Sequence, residues 1–404
     1  MYGLGNAEDF RDTLDAISKQ GGLDLISMKS VSNQPDYERK PRIYKPAEML
    51  DLTNLPRSTF RSYVNSGKIR LNGYDEVDGK SAIFKKKGYS LEEIYSIRDQ
   101  IGRGFWGGKP SPLEIKNAIV LAVSQFKGGV GKTTHSTHLA AKSAISGLST
   151  LIIDCDYQAT TTLALGFVPG QDIDDDKNIY KALLDDPEYI EDSIVKTHIH
   201  NLHLIPASLA LSGANVELLN PALNNSAALG NPISRLKQAV EFLRNKYDLI
   251  ILDCPPNFEA VAMNAMVASD GFLLPITPNM LSLASTISFC ETVAELYSTI
   301  INADRAGELI NKFFRVLITN DPKNAESEKV LSVIRRLFGP YLMTNSMPRT
   351  IALDRASNDL SILYDLNRSE INGDKKAFDR AINSMDLVNE EIFTAFRGIW
   401  GIEQ

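Results

Sequence analysis

The run Phe126-Lys127-Gly128-Gly129-Val130-Gly131-Lys132-Thr133-Thr134 holds the densest chemistry in this chain. It lies between an apolar stretch, Ile119 to Val123, and a helical-looking stretch, Thr134 to Ser146. Strand, glycine loop and helix is the context a phosphate-binding loop needs. Glycines let the backbone wrap closely around an anion while successive N–H groups and the positive helix end point at it. Lys132 would reach the β- and γ-phosphates, and Thr133 would give an oxygen to Mg²⁺. The first glycine of the usual loop pattern should fall at 126, where Phe126 stands, and a second lysine, Lys127, opens the loop instead. Two cations on one short loop are costly unless a second polyphosphate lies nearby, so Lys127 is expected to serve the nucleotide of a partner subunit. The plain alternative is a glycine-rich turn with solvated lysines.

Phosphoryl transfer to water also needs a metal and a positioned water. Asp253 ends the apolar run Leu249-Ile250-Ile251-Leu252, where a carboxylate is costly without a cation, so it is expected to face Mg²⁺. The bland alternative is a helix cap. Asp154 and Asp156 are read as projecting from one side of a strand that begins at Leu151. Asn320 follows an apolar run in Ile318-Thr319-Asn320-Asp321-Pro322. On its own residues it is a turn former, and only the family resemblance below makes it a candidate reader of adenine through its amide.

The loop resembles the deviant Walker A loop of the ParA/MinD ATPases. Leu151 to Asp156 is similar to that family's second strand, and Leu249 to Pro256 to its Walker B strand. The resemblance covers roughly residues 115 to 404. It implies ATP, ADP and Mg²⁺ as ligands, nucleotide contacts from Lys127 through Thr134, and an ATP-sandwich homodimer crossed by Lys127. It gives Asp156 the attacking water and Asp154 the magnesium shell, beside Thr133 and Asp253. Catalytic roles thus fall on Lys127, Lys132 and Asp156. The family's Asp-Pro-Gln is Asp156-Tyr157-Gln158 here, so the loop lacks its proline.

The elements that must position these groups are strand-sized apolar runs separated by helical stretches: Leu202 to Ile205, Leu249 to Leu252, Phe272 to Ile276 and Phe314 to Ile318. An α/β fold with a mostly parallel sheet and helices on both faces follows. The longest apolar runs are too short to span a membrane. Cys155, Cys254 and Cys290 have no metal-ligand spacing and read as reduced core thiols of a cytoplasmic protein, which the resemblance further implies is nucleoid-associated. An electron-transfer ATPase would need cluster cysteines that are missing.

Net charge is −7, yet residues 39 to 109 hold 15 Lys and Arg against 8 Asp and Glu. That segment is +7 and the remainder −14. A basic module on an acidic body points to nucleic acid. Three units are expected. Residues 1–42 form a helical dimerisation arm, with Phe10, Leu14 and Ile17 at helical spacing, and a linker. Residues 43–108 form a small DNA-binding unit, and residues 109–404 the ATPase. In the second unit a helix from Pro46, a turn at Thr53-Asn54-Leu55-Pro56 and a helix from Pro56 to Val64 make a helix-turn-helix. Its candidate DNA contacts are Arg57, Ser58, Thr59, Arg61 and Lys68. Ile69–Leu71 and Ala82–Phe84 would form a wing, and Ser90 would cap a last helix. This resembles the winged domain that precedes the ATPase in the larger, type Ia ParA proteins. The resemblance implies a DNA partition ATPase with a ParB-type partner that stimulates slow hydrolysis, nonspecific DNA binding and autorepression. It also allows filaments on DNA. Arg349 and Arg355 are the first candidates for nonspecific DNA contact, with Lys375 and Lys376 behind them. A MinD-like positioning ATPase is the alternative, but the terminal stretch Asp386 to Gln404 is acidic and fits packing on the body better. A nucleotide-regulated repressor is the other.

Overall fold

The computed structural model describes residues 39–71, 88–102, 117–220, 230–303, 309, 313–368, 371 and 373–401. The expected arm helix, the second wing strand, Lys85 to Lys87 and residues 103–112 of the linker lie outside them.

Seven strands form one sheet: β1 (Ile119–Val123), β2 (Thr150–Asp154), β3 (Val195–Lys196), β4 (Leu202–Ile205), β5 (Leu249–Asp253), β6 (Gly271–Ile276) and β7 (Phe313–Ile318). The order is β3-β4-β2-β5-β1-β6-β7. Every pairing is parallel except the short edge strand β3, which runs antiparallel to β4. Alternate residues serve opposite faces, as a pleated strand requires. Ile119, Leu121 and Val123 join one buried cluster, and Val120 and Ala122 the other. Burial on both faces explains why these strands read as unbroken apolar runs. The register aligns Asp154 with Asp253, and Val123 with Asp253, at the carboxyl edge of the sheet. Open parallel sheets bind ligands at that edge.

The N-terminal unit contributes α1 (Pro46–Thr53), α2 (Arg57–Asn65) and α3 (Leu91–Gln100). Pro56 precedes α2 as its N-cap, and Phe60 is its buried residue. Ser90 caps α3 as expected: its hydroxyl accepts from Glu93 N, and Glu93 answers by accepting from Ser90 N. The wing reading needs correction at Ile69–Leu71, which is not a strand. Ile69 is buried, and the backbone of Arg70 pairs with the Gln100 side chain through Arg70 N to Oε1 and Nε2 to Arg70 O. The Gln100 side chain thus occupies both backbone hydrogen-bonding groups of Arg70.

α3 docks this unit on α4 (Lys132–Ser146), the helix that leaves the glycine loop. Tyr95 Oη donates to Ala144 O. The buried Arg98 donates to Leu52 O from Nε at 2.9 Å, and from Nη1 to Ser146 O at 3.1 Å and Ile145 O at 3.4 Å. A cation there satisfies the last carbonyls of α4 and the negative end of its dipole. The short α5 (Thr160–Ala164) follows β2, and α6 (Met280–Asn302), α7 (Ala325–Phe338), α8 (Ile351–Asn358) and α9 (Lys375–Trp400) complete the helices used below. α9 buries Val388, Ile392, Phe393 and Phe396 on the body, each worth about 1.5–3 kcal/mol, while Leu387 of the same stretch is 57% exposed. Among the described residues no helix is long and apolar enough to cross a membrane.

Candidate nucleotide site

β1 ends at Val123, and the chain turns through buried Ser124 and Gln125 into the glycine loop. Gly129 and Gly131 take φ of +73° and +88°, the left-handed region that favours glycine. A Cβ on Gly131 would also meet Met347 Cε at 2.8 Å. The end of β7 braces the loop: Thr319 Oγ1 donates to Val130 O at 2.7 Å, and Asn320 Nδ2 to Gly129 O at 3.5 Å. Among the described residues, nothing accepts from the amides of Gly128, Gly129, Val130 or Gly131. A Cβ on Gly128 or Gly129 would meet no atom within 4 Å. Open space lined by unspent N–H groups is a nest for an anion. Lys132 is 8% exposed, and the one acceptor for its Nζ among the described residues is Lys127 O at 3.4 Å. Burial pulls its pKa down, and the nearby Asp253 charge opposes this. An ammonium that is buried and so weakly bonded is short of an anionic partner. Lys127 stands exposed at the mouth, free to reach outward from this chain.

Asp253, 1% exposed, holds three hydroxyls on one carboxylate. Thr133 Oγ1 donates to Oδ2 at 2.7 Å, Thr161 Oγ1 to the same Oδ2 at 2.7 Å, and Ser136 Oγ to Oδ1 at 2.8 Å. Burial raises the Asp253 pKa, while the three hydroxyls and Lys132 oppose that rise. Asp253 caps no helix; it ends β5 as the sequence implies. Asp154, fully buried beside it, accepts from Thr162 N at 2.9 Å and Thr162 Oγ1 at 2.7 Å on Oδ2, and from Asp156 N at 3.2 Å on Oδ1. Burial and the Asp253 charge push its pKa up to about 8. A hard dication supplying charge between these oxygens would relieve both carboxylates, so Thr133, Asp253 and Asp154 fit magnesium.

One expectation is corrected here. Asp154 and Asp156 do not share a strand, because β2 ends at Asp154. Asp156 stands in the following loop, half-buried, with Oδ1 accepting from Gln158 N at 3.0 Å. Its side chain closes an Asx turn, which ends the strand. Asn320 sits at the rim in a left-handed bend, φ +51°, with its amide Nδ2 near Gly129 O of the loop. One residue beyond it opens a cleft of about 850 Å³ lined by Asp321, Pro322, Pro348, Arg349 and Arg355, among others.

The DNA candidates fall in two places. Arg57, Ser58, Arg61 and Lys68 are exposed on or just after α2, and Thr59 is half-buried. Lys68 Nζ lies over the Tyr63 ring at 4.2 Å. Arg349 and Arg355 are exposed beside the cleft, and Arg349 makes a loose surface pair with Asp354 at 3.8 Å. Sequence reasoning missed Ser136, Thr161 and Thr162. The run Thr160-Thr161-Thr162 just after the acidic loop was the available signal.

Residues 118–304 match the family described as an AAA domain. A protein of Rhizobium rhizogenes with the provisional name replication protein A is 28% identical over 91% of this chain and 90% of its own. The sporulation initiation inhibitor protein Soj of Bacillus subtilis is 32% identical, over 61% of this chain and 91% of its own. A solved structure described as a partition protein superposes with a TM-score of 0.61, covering 95% of this chain and 98% of that one at 16% identity. With a phosphate nest, a buried lysine and paired aspartates at the carboxyl edge of a parallel sheet, the chain belongs to the ParA/Soj family of partition ATPases.

Proposed function

We propose that this protein is an ATP-driven DNA partition switch. ATP locks a homodimer that binds DNA without sequence preference, and a ParB-type partner stimulates hydrolysis, which releases it. The observation that carries the reading is the pairing of a weakly bonded, buried Lys132 with an exposed Lys127 on one loop. The first suits the chain's own nucleotide. The second, exposed and without a side-chain partner among the described residues, suits a partner's.

Magnesium, when bound, would neutralise charge on the phosphates and orient them. Thr133 and Asp253 would hold it, with Asp154 behind. The loop amides and Lys132 hold the transferred phosphate. Asp156 lies one short loop away from Asp154 and takes the attacking water. Turnover would be slow and governed by the partner.

The N-terminal unit would bind an operator through the exposed face of α2, with Arg57, Ser58 and Arg61. Because α3 caps the helix that leaves the nucleotide loop, that unit is placed to feel the nucleotide state. Arg349 and Arg355 would meet phosphates. Burial of Val388, Ile392, Phe393 and Phe396 of α9 on the body favours partition over the membrane-positioning alternative. The test is binding to random-sequence duplex with ATP, ADP or no nucleotide.

A further inference from the structure

Thr161 and Thr162 are adjacent in the first turn of α5, yet they hold different strands. Thr161 Oγ1 donates to Asp253 of β5, and Thr162 donates twice to Asp154 of β2. Thr162 Oγ1 also accepts from Ala207 N at 3.0 Å, after β4, so it is tied into the sheet whatever the site holds. Among the described residues Thr161 has no such second tie: its side chain, fully buried, spends its hydroxyl on the carboxylate that Thr133 shares. Between these anchors and Asp154 runs the short loop that carries Asp156. Its start is pinned by Asp156 N on Asp154 and its middle by Ala159 N on Asp156 O at 2.8 Å. Its far end is registered to Asp253 by the Thr161 hydroxyl and to Asp154 by Thr162.

We infer that Thr161 is a positioning residue for hydrolysis. It fixes the orientation of Asp253 Oδ2 and couples the Asp156 loop to the metal carboxylate, so the water-handling group moves with the metal site. This rests on the ATPase reading above. Outer-shell partners of metal carboxylates typically cost about 10–100-fold in metal affinity or activity when removed.

The test compares wild type with Thr161→Val, which keeps the shape and removes the hydroxyl, and Thr161→Ser, which keeps the hydroxyl. A fluorescent ATP analogue is titrated in EDTA and across a Mg²⁺ series, and kcat and KM are measured beside it. In the Val variant, metal-free binding and KM are expected within about twofold of wild type. The Mg²⁺ half-saturation should rise, and kcat should fall, by about tenfold or more. Serine should restore both. A Val variant matching wild type in Mg²⁺ response and kcat would overturn the inference. So would a Val variant that loses metal-free binding and is not rescued by serine, because that marks a purely structural threonine. Failure of wild type itself to bind the analogue with Mg²⁺ would instead overturn the ATPase reading.

Discussion

His138 Nε2 accepts a hydrogen bond from Leu363 N at 3.1 Å, joining the middle of α4 to the turn Leu363–Asp365. The other ring nitrogen lies 2.6 Å from Thr134 O, so Nδ1 carries the proton and the ring is neutral. Two residues on, Asp365 accepts from His198 Nε2 at 2.6 Å and Arg39 Nη1 at 3.1 Å. The glycine-loop helix and the C-terminal half therefore meet at one neutral imidazole, with Arg39 and His198 gathered on Asp365 beside it.

That imidazole makes stability pH-dependent. Burial lowers its pKa from 6.5 to about 4, outweighing the opposing Thr134 carbonyl and Asp365. Between those values the unfolded chain binds a proton that the folded chain refuses, so stability falls as pH falls. From about pH 7.5 to about pH 5 the loss is about 2 kcal/mol from this group. Denaturant midpoints at the two pH values check it. His138→Leu should cost about 1–3 kcal/mol at the higher pH, through the Leu363 N left without an acceptor, yet lose less than wild type on acidification. An unchanged pH slope would rule the assignment out.

Ala159 carries φ of +56°, a left-handed conformation that costs a non-glycine residue about 1–2 kcal/mol. It sits in the Asp156 loop just before α5. Ala159→Gly should raise unfolding free energy by roughly 0.5–1 kcal/mol, the relief less glycine's entropy in the unfolded chain. Urea unfolding measures it, and destabilisation would contradict the strain.

Lys127→Gln tests the partner-facing lysine. Nucleotide binding by the monomer should stay within about threefold, because Lys132 and the amides remain, while ATP-induced dimerisation and stimulated hydrolysis should fall by about tenfold or more. Sedimentation with a nonhydrolysable analogue reads the first, and phosphate release the second. Full dimerisation by the variant would remove Lys127 from the interface.

Much of the site was legible before the fold was known. The glycine loop, Asp253 and every parallel strand except the length of β2 follow from local signals: glycines at fixed spacing and apolar runs closed by a carboxylate. β2 stops at Asp154 because Asp156 folds its side chain back onto Gln158 N, a choice no strand periodicity reveals. Thr161, Thr162 and Ser136 were missed because a hydroxyl gains meaning only from what the fold brings to it. The docking of Arg98 on Ser146 was invisible for the same reason, as two segments nearly fifty residues apart supply donor and acceptor.

The central claim is that nucleotide controls DNA binding. Binding to a random-sequence duplex should be measured with ATP, ADP and no nucleotide across a salt series. The switch predicts strong binding with ATP alone, at least about tenfold tighter than with ADP, weakening steeply as salt rises because Lys and Arg contacts release counterions. Binding that ignores nucleotide and requires one sequence would contradict it, and would make the N-terminal unit a repressor with the ATPase as an accessory.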